Sequence, residues 1–254
     1  MIGVLGASSP LGQLVVTELA RREAPWSDQL TAGLDVVIAL EGGVDVAAAA
    51  VALGVPYVDA TSSWELAADL LERFADAAVP VVPACGFDGL LGDLAAAVAA
   101  MHFGGPVDEI GVHHDRPGSV PAPASPSRHV AFPGGGRWVV DAPLVEGVLV
   151  PRHVPGAEVV TTVAVTAATG DEFQLLAEAV GFGPKSVVVC EGRSADVLSA
   201  RLLVTAARAV AQPGQPAGAM APAEAFDAER FLDAVAGDDL RWSFSFPSPG
   251  DLTV

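Results

Sequence analysis

The side chains able to do acid–base or nucleophilic chemistry stand at the ends of apolar runs. Ser8 and Ser9 follow residues 1–5, and Glu41 follows 35–40. Asp59 closes 56–59 with Thr61 two residues on, and Cys85 closes 79–85 with Asp88 just beyond. If those runs are parallel strands, their carboxyl ends share one sheet edge and these side chains converge on a crevice. Glu41 and Asp59 are then the candidate acid–base groups, with Thr61, Cys85 and Asp88 as substrate contacts. Plainer roles stand beside these. Asp59, Thr61 and Asp88 suit helix caps and turns, and Cys85, ending an apolar run with no base near it in sequence, suits a small buried hydrophobe.

The densest polar group is His113-His114-Asp115-Arg116, at the end of a strand candidate. Side chains alternate faces along a strand, so only one of the two histidines reaches a given pocket. A histidine beside Asp115 has the makings of an oriented general base, or of a proton shuttle working with Glu41 or Asp59. The plain alternative is a solvated strand end. Contiguous strand residues cannot converge on one ion, so no metal site is expected. His129 and His153 read as isolated loop or surface residues.

The elements that must position these groups follow from periodicity. Strands are expected at 1–5, 35–40, 56–59 and 79–85, alternating with helices at 13–22, 45–53, 64–78 and 92–101, with 23–34 as a connector. That alternation means a parallel sheet with right-handed crossovers. Beyond residue 103 the texture changes. Strands are expected at 110–114, 138–141, 145–150, 159–165, 186–191 and 240–246, and helices at 172–180, 195–211 and 228–236. The Pro/Gly/Ser-rich 116–136 reads as a long loop, either a lid or a plain connection. The fold class is therefore α/β: a shortened Rossmann-like parallel sheet over 1–108, with 221–254 packing back on it, and a second mixed α/β domain over 109–220.

The chain has 254 residues, 51% of them hydrophobic, enough to bury a full core. Thirteen Lys and Arg against 31 Asp and Glu give a net charge of −18, which repels nucleic acid and anionic membranes. Two cysteines without metal-ligand spacing, and an opening without a basic leader, lead to the expectation of free thiols and a cytoplasmic location.

Three stretches, 6–22 (GASSPLGQLVVTELARR), 54–100 (with YVD, VVPACGFD and GD in order) and 221–235 (APAEAFDAERFLDAV), together resemble the saccharopine dehydrogenase-like family. The middle stretch is the specific one, and the three cover a little under a third of the chain. The resemblance implies a Rossmann domain binding NAD(P), a second mixed domain contributing to the substrate pocket and often to a homodimer, and Gly6, Ser8, Ser9 and Gly12 as the nucleotide turn. Three departures stand against ordinary dinucleotide binding. Ser9 replaces the central glycine and is followed by Pro10, which removes an N–H donor. No strand bearing a ribose-binding acid is read in the short 23–34 connector. Glu41 stands in the turn that usually faces the nicotinamide. The leading expectation is thus a cofactor-independent isomerase or cyclase acting on a small, fairly apolar substrate. The alternatives are an NAD(P)-dependent oxidoreductase of that family and a non-catalytic small-molecule binder or subunit.

Overall fold

The computed structural model describes residues 1–116, 128–165 and 170–246. In chain order the elements are β1 (Ile2–Leu5), α1 (Pro10–Arg21), β2 (Trp26–Ser27), β3 (Val36–Ala39), α2 (Gly43–Ala52), β4 (Tyr57–Asp59), α3 (Trp64–Arg73), β5 (Pro80–Val82), a π-turn (Phe87–Leu91) and α4 (Gly92–Phe103). There follow β6 (Val107–Asp115), β7 (Arg128–Phe132), β8 (Gly135–Asp141), α5 (Glu146–Leu149) with a 3₁₀ turn (Val150–Arg152), β9 (Glu158–Ala164), β10 (Glu172–Gly181) and β11 (Ser186–Arg193). The chain ends with α6 (Ala195–Val210), β12 (Gly218–Ala219), α7 (Pro222–Ala225), α8 (Ala228–Val235) and β13 (Leu240–Ser245).

Two compact units result: Met1–Leu90 with Asp196–Asp227, and Leu91–Ala195 with Ala228 onward. The boundary expected at 108 lies instead at 90, because α4 packs against β10 and β11 and so belongs with the second sheet. Likewise only 221–227 of the expected returning tail lies in the first unit, where α6 and β12 also belong.

The first unit carries a sheet of order β12-β5-β4-β3-β1-β2 in which every pairing is parallel. Val4, Val36, Val37, Ile38, Tyr57, Val58, Val81 and Val82 are fully buried, as a parallel sheet covered on both faces requires. Helix α1 starts where Ser9 caps it. Its Oγ accepts from the Gly12 amide at 3.0 Å and donates to the Gly6 carbonyl at 2.7 Å, and Pro10 takes the first helical position, where no donor is needed. Gly12, Val15, Glu18 and Leu19 form its buried stripe.

The second unit carries a sheet of order β13-β11-β10-β6-β9-β8-β7, antiparallel except for the β6–β9 pair. Val130, Phe132, Val139, Ala164, Leu176 and Val187, drawn from five strands, pack as one cluster, so the sheet curls upon itself. Leu175, Ala177 and Ala179, of the opposite parity to Leu176, are buried as well.

Several expected elements differ. Residues 172–180, rich in Leu, Ala, Glu and Gln, form strand β10 and not a helix. Pairing on both sides with β6 and β11 overrides their helix preference, and burial of both faces erases alternation. Residues 145–150, expected as a strand, form α5 and the start of the 3₁₀ turn. The expected loop 116–136 contains β7 and the hairpin to β8. Residues 117–127 of it, including the lid reading, lie outside the described residues. The 23–34 connector contains β2, whose Trp26 pairs with Ile2.

Candidate functional site

Parallel pairing places the carboxyl ends of β1, β2, β3, β4 and β5 along one edge, where an open α/β sheet binds its ligand. At β1, Gly6 turns the chain with φ +83°, a left-handed conformation suited to glycine. A Cβ on Gly12 would overlap the Gly6 carbonyl oxygen and come within 2.7 Å of the Ala7 backbone, so only glycine lets α1 start this close to the turn. Ser9 Oγ is committed to the cap. The amides of Ala7, Ser8 and Leu11 take no part in backbone hydrogen bonds among the described residues, and Ser8 is exposed. The turn therefore retains three donors at a helix N-terminus in spite of Pro10, a set that fits a pyrophosphate.

At β3, Glu41 is exposed, and its Cγ and Cδ lie 3.2 and 3.3 Å from where a Gly6 Cβ would be. Its side chain thus packs over the glycine turn. At β2, Ser27 ends the strand, its Oγ accepting from the Gln29 amide at 3.2 Å, and exposed Asp28 follows at once, sixteen positions beyond Gly12. Sequence reasoning missed Asp28 because a two-residue strand gives no periodic signal. The acid itself stood within the right distance of the turn, and that spacing was the available clue.

At β4, Asp59 is a buried node. Its Oδ1 accepts from the Thr61 amide at 2.9 Å and the Ala84 amide at 2.8 Å, and its Oδ2 accepts from the Tyr57 hydroxyl at 2.9 Å. Burial raises its pKa, against the opposing pull of the two amides and the hydroxyl. The same burial, with Asp59 beside it, raises that of Tyr57. The carboxylate ties the end of β4 to the turn after β5, where Ala84 holds φ +58°. Asp59 therefore positions backbone. Thr61 is half-buried in the same turn, and its Oγ1 accepts from the Ser63 amide at 3.2 Å. Cys85 is fully buried, its thiol donating to the Val82 carbonyl at 3.3 Å. Half-buried Asp88 lies in the π-turn, and the Phe87 amide there donates to Ser199 Oγ at 3.0 Å. Glu41, Ser8, Asp59, Thr61, Cys85 and Asp88 thus share the sheet edge, but the accessible ones are Ser8 and Glu41, with Asp28 added.

His113 and His114 lie in the second unit, each buried to 2% exposure, not on a solvated strand end. They face opposite sides of β6. His113 Nδ1 is 2.8 Å from Thr162 Oγ1 and its Nε2 is 3.8 Å from Glu178 Oε2. A Cβ on Gly111 would come within 2.5 Å of that Nε2, so the imidazole folds over a glycine. Burial pushes the pKa of Glu178 up, but His113 and the Lys185 ammonium outweigh it, and the net shift is downward. His114 Nε2 is 2.8 Å from Oε1 of fully buried Glu146. His153, read as a surface residue, pairs instead with fully buried Asp93 at 2.7 Å. His129 is exposed on β7 and meets Trp138 edge-on. Among the described residues no group of three or more His, Cys, Asp or Glu is placed to hold a metal ion. No described helix is long and apolar enough to cross a membrane. A cavity of about 820 Å³ lies at one end of the second sheet.

No family model matches the chain, and no curated protein matches it. Solved structures do. Homospermidine synthase from Legionella pneumophila, determined in complex with NAD, is similar over 98% of this chain and 92% of that one, with a TM-score of 0.62 and 10% identity. Saccharopine dehydrogenase (L-Glu forming) from Saccharomyces cerevisiae is similar over 96% of this chain and 99% of that one, with a TM-score of 0.60 and 12% identity. The chain has the two-unit, Rossmann-like fold of saccharopine dehydrogenase-like proteins.

Proposed function

We propose that the chain is an oxidoreductase that uses NAD(H) on the carboxyl edge of its parallel sheet to oxidise or reduce a small organic molecule. The observation that carries this reading is Asp28, an exposed acid at the end of a retained β2, beside a glycine turn whose Gly12 admits no side chain. The fold is shared with a homospermidine synthase that carries NAD. The cofactor-free isomerase or cyclase expected from the missing strand loses its main motive once β2 is in place, and the shared fold lends it no support.

The bound dinucleotide supplies the hydride acceptor or donor. The amides of Ala7, Ser8 and Leu11 bind its pyrophosphate, and Gly12 keeps that approach open. Asp28 accepts from the adenosine ribose hydroxyls, and its charge rejects a 2′-phosphate; no Lys or Arg stands in 23–34 to welcome one. The preferred cofactor is therefore NAD(H) over NADP(H). Glu41, beside the turn, is the exposed acid placed to hold or release a proton at this edge.

The test is a fluorescence titration with NADH and NADPH of the wild type and of Asp28→Ala. NADH is expected to bind at least about tenfold more tightly than NADPH, and Asp28→Ala to erase that gap. A preference for NADPH in the wild type, or an unchanged gap in the variant, would overturn the reading.

A further inference from the structure

The second unit holds another cavity, of about 280 Å³, walled by β6, β7, β10 and the turn between β10 and β11. Lys185, in that turn, lines it. Of the 13 Lys and Arg in the chain, Lys185 is the only lysine and the rest are arginine. An arginine in its place would serve an ion pair equally well and could never lose its proton, whereas a lysine can also act as an amine.

Register brings two acid–base groups to this lysine. His113 pairs with Leu176 and Thr162, and Glu178 pairs with Gly111, two residues before His113, so Glu178 and His113 are diagonal neighbours on one face of the sheet. Glu178 Oε1 accepts from Lys185 Nζ, and its Oε2 lies 3.8 Å from His113 Nε2. Thr162 Oγ1 occupies the other nitrogen of this buried imidazole, so Nε2 is the one left to the cavity, and no hydrogen bond reaches it among the described residues. Elsewhere on the lining Glu109 and Arg128 lie 3.9 Å apart. Histidines aside, the lining carries two acids against two bases, a balance that favours an uncharged ligand over an anion or a cation.

We propose that this cavity binds a small aldehyde or ketone as an imine on Lys185. The Nζ lone pair forms a bond to the carbonyl carbon, and the carbonyl oxygen leaves as water with two of the three ammonium protons, so no outside reagent is needed. Glu178 draws each proton from Nζ in turn, and His113 Nε2, facing the same space, relays it to the oxygen. An ion-paired ammonium is by itself a slow nucleophile; the gain comes from holding the carbonyl beside Nζ, with Val130 and Ala131 against its carbon chain. The iminium keeps the single positive charge of the ammonium, so the Glu178 carboxylate keeps its partner. An acyl group on Nζ would remove that charge and strand the half-buried carboxylate, which is why a carbonyl compound fits and an acyl donor does not.

The experiment uses the full chain without nucleotide, near neutral pH, with acetaldehyde, butanal or acetone at about 1 mM. Cyanoborohydride reduces any iminium to a stable amine, and mass spectrometry follows the label. Lys185 lies in the peptide between Arg152 and Arg193, which mapping separates from the α-amine. Nα-acetyl-lysine amide in the same tube is the reference for an ordinary lysine. At least one probe is expected to label Lys185 at least about tenfold faster than the reference, and unfolding in urea to erase that advantage. Lys185→Arg, which keeps the ion pair with Glu178, is expected to take no label in this peptide, and Glu178→Gln and His113→Gln to slow labelling at least about tenfold. Labelling no faster than the reference with every probe, an advantage that survives urea, or an unchanged or faster rate in Glu178→Gln would overturn the proposal. NADH titration of Lys185→Arg reports on the first unit alone, so failure of this site and failure of the dinucleotide reading are told apart.

Discussion

Replacing Asp59 separates a positioning carboxylate from a catalytic one. In Asp59→Ala two buried donors, the Ala84 amide and the Tyr57 hydroxyl, lose their acceptor, and the half-exposed Thr61 amide turns to solvent. A buried donor left unsatisfied costs about 1–3 kcal/mol, so the two together cost about 4 kcal/mol at mid-range. For a chain of this size 1 kcal/mol moves the melting temperature by about 2–4 °C, which gives a loss of about 8–16 °C. Asp59→Asn keeps one oxygen for the two amides, and the tyrosine hydroxyl can turn to accept from the new amide, so the expected loss is about 1 kcal/mol, or 2–4 °C. Calorimetry of the three proteins reads both values. The sign of the pH dependence is an additional check. Burial raises the folded-state pKa of Asp59 above its unfolded value, so between the two the folded state binds more protons. The wild type therefore loses stability relative to Asp59→Asn as pH rises from the unfolded carboxylate pKa, about 3.9, through the raised folded value. An Ala variant melting within about 1 °C of wild type, or a relative pH trend of the opposite sign, would refute this account of the node.

Gly12→Ala forces a methyl group onto the Gly6 carbonyl, so α1 must retreat from the turn. A stability loss of about 1–3 kcal/mol and the loss of NADH binding are expected by melting and titration, and unchanged NADH affinity would contradict the close approach. Gly111→Ala displaces the His113 imidazole from its place beside Thr162 and Glu178; the imidazole resonances are expected to shift in NMR, with a melting loss of about 1–3 kcal/mol. Cys190, fully buried and with its thiol pKa pushed up to about 12, is expected to resist alkylation at pH 8 until the chain is unfolded.

Much of the first unit was legible because its strands are short apolar runs with polar residues at their carboxyl ends, and parallel pairing makes those ends converge. Asp59 lies at the end of β4 on that edge, but sequence spacing cannot distinguish a carboxylate facing a crevice from one facing the Thr61 and Ala84 amides. β2 was missed because two residues carry no period, and Asp28 went with it. In the second unit the signals conflicted. The Leu- and Ala-rich run of β10 looks helical until its two neighbouring strands are known, and the short α5 with its Val-rich flanks looks extended. Pairs such as the buried His114–Glu146 and the part-buried His153–Asp93 join residues 32 and 60 positions apart, beyond the reach of local spacing.

The central claim is that a dinucleotide lies on the Gly6–Gly12 turn with its ribose at Asp28. Backbone amide shifts of the labelled protein during an NADH titration test it most directly. The account predicts saturable shifts at Ala7, Ser8, Leu11 and Asp28 in the micromolar to low millimolar range. Shifts confined to the second unit, or none at about 5 mM NADH, would contradict it.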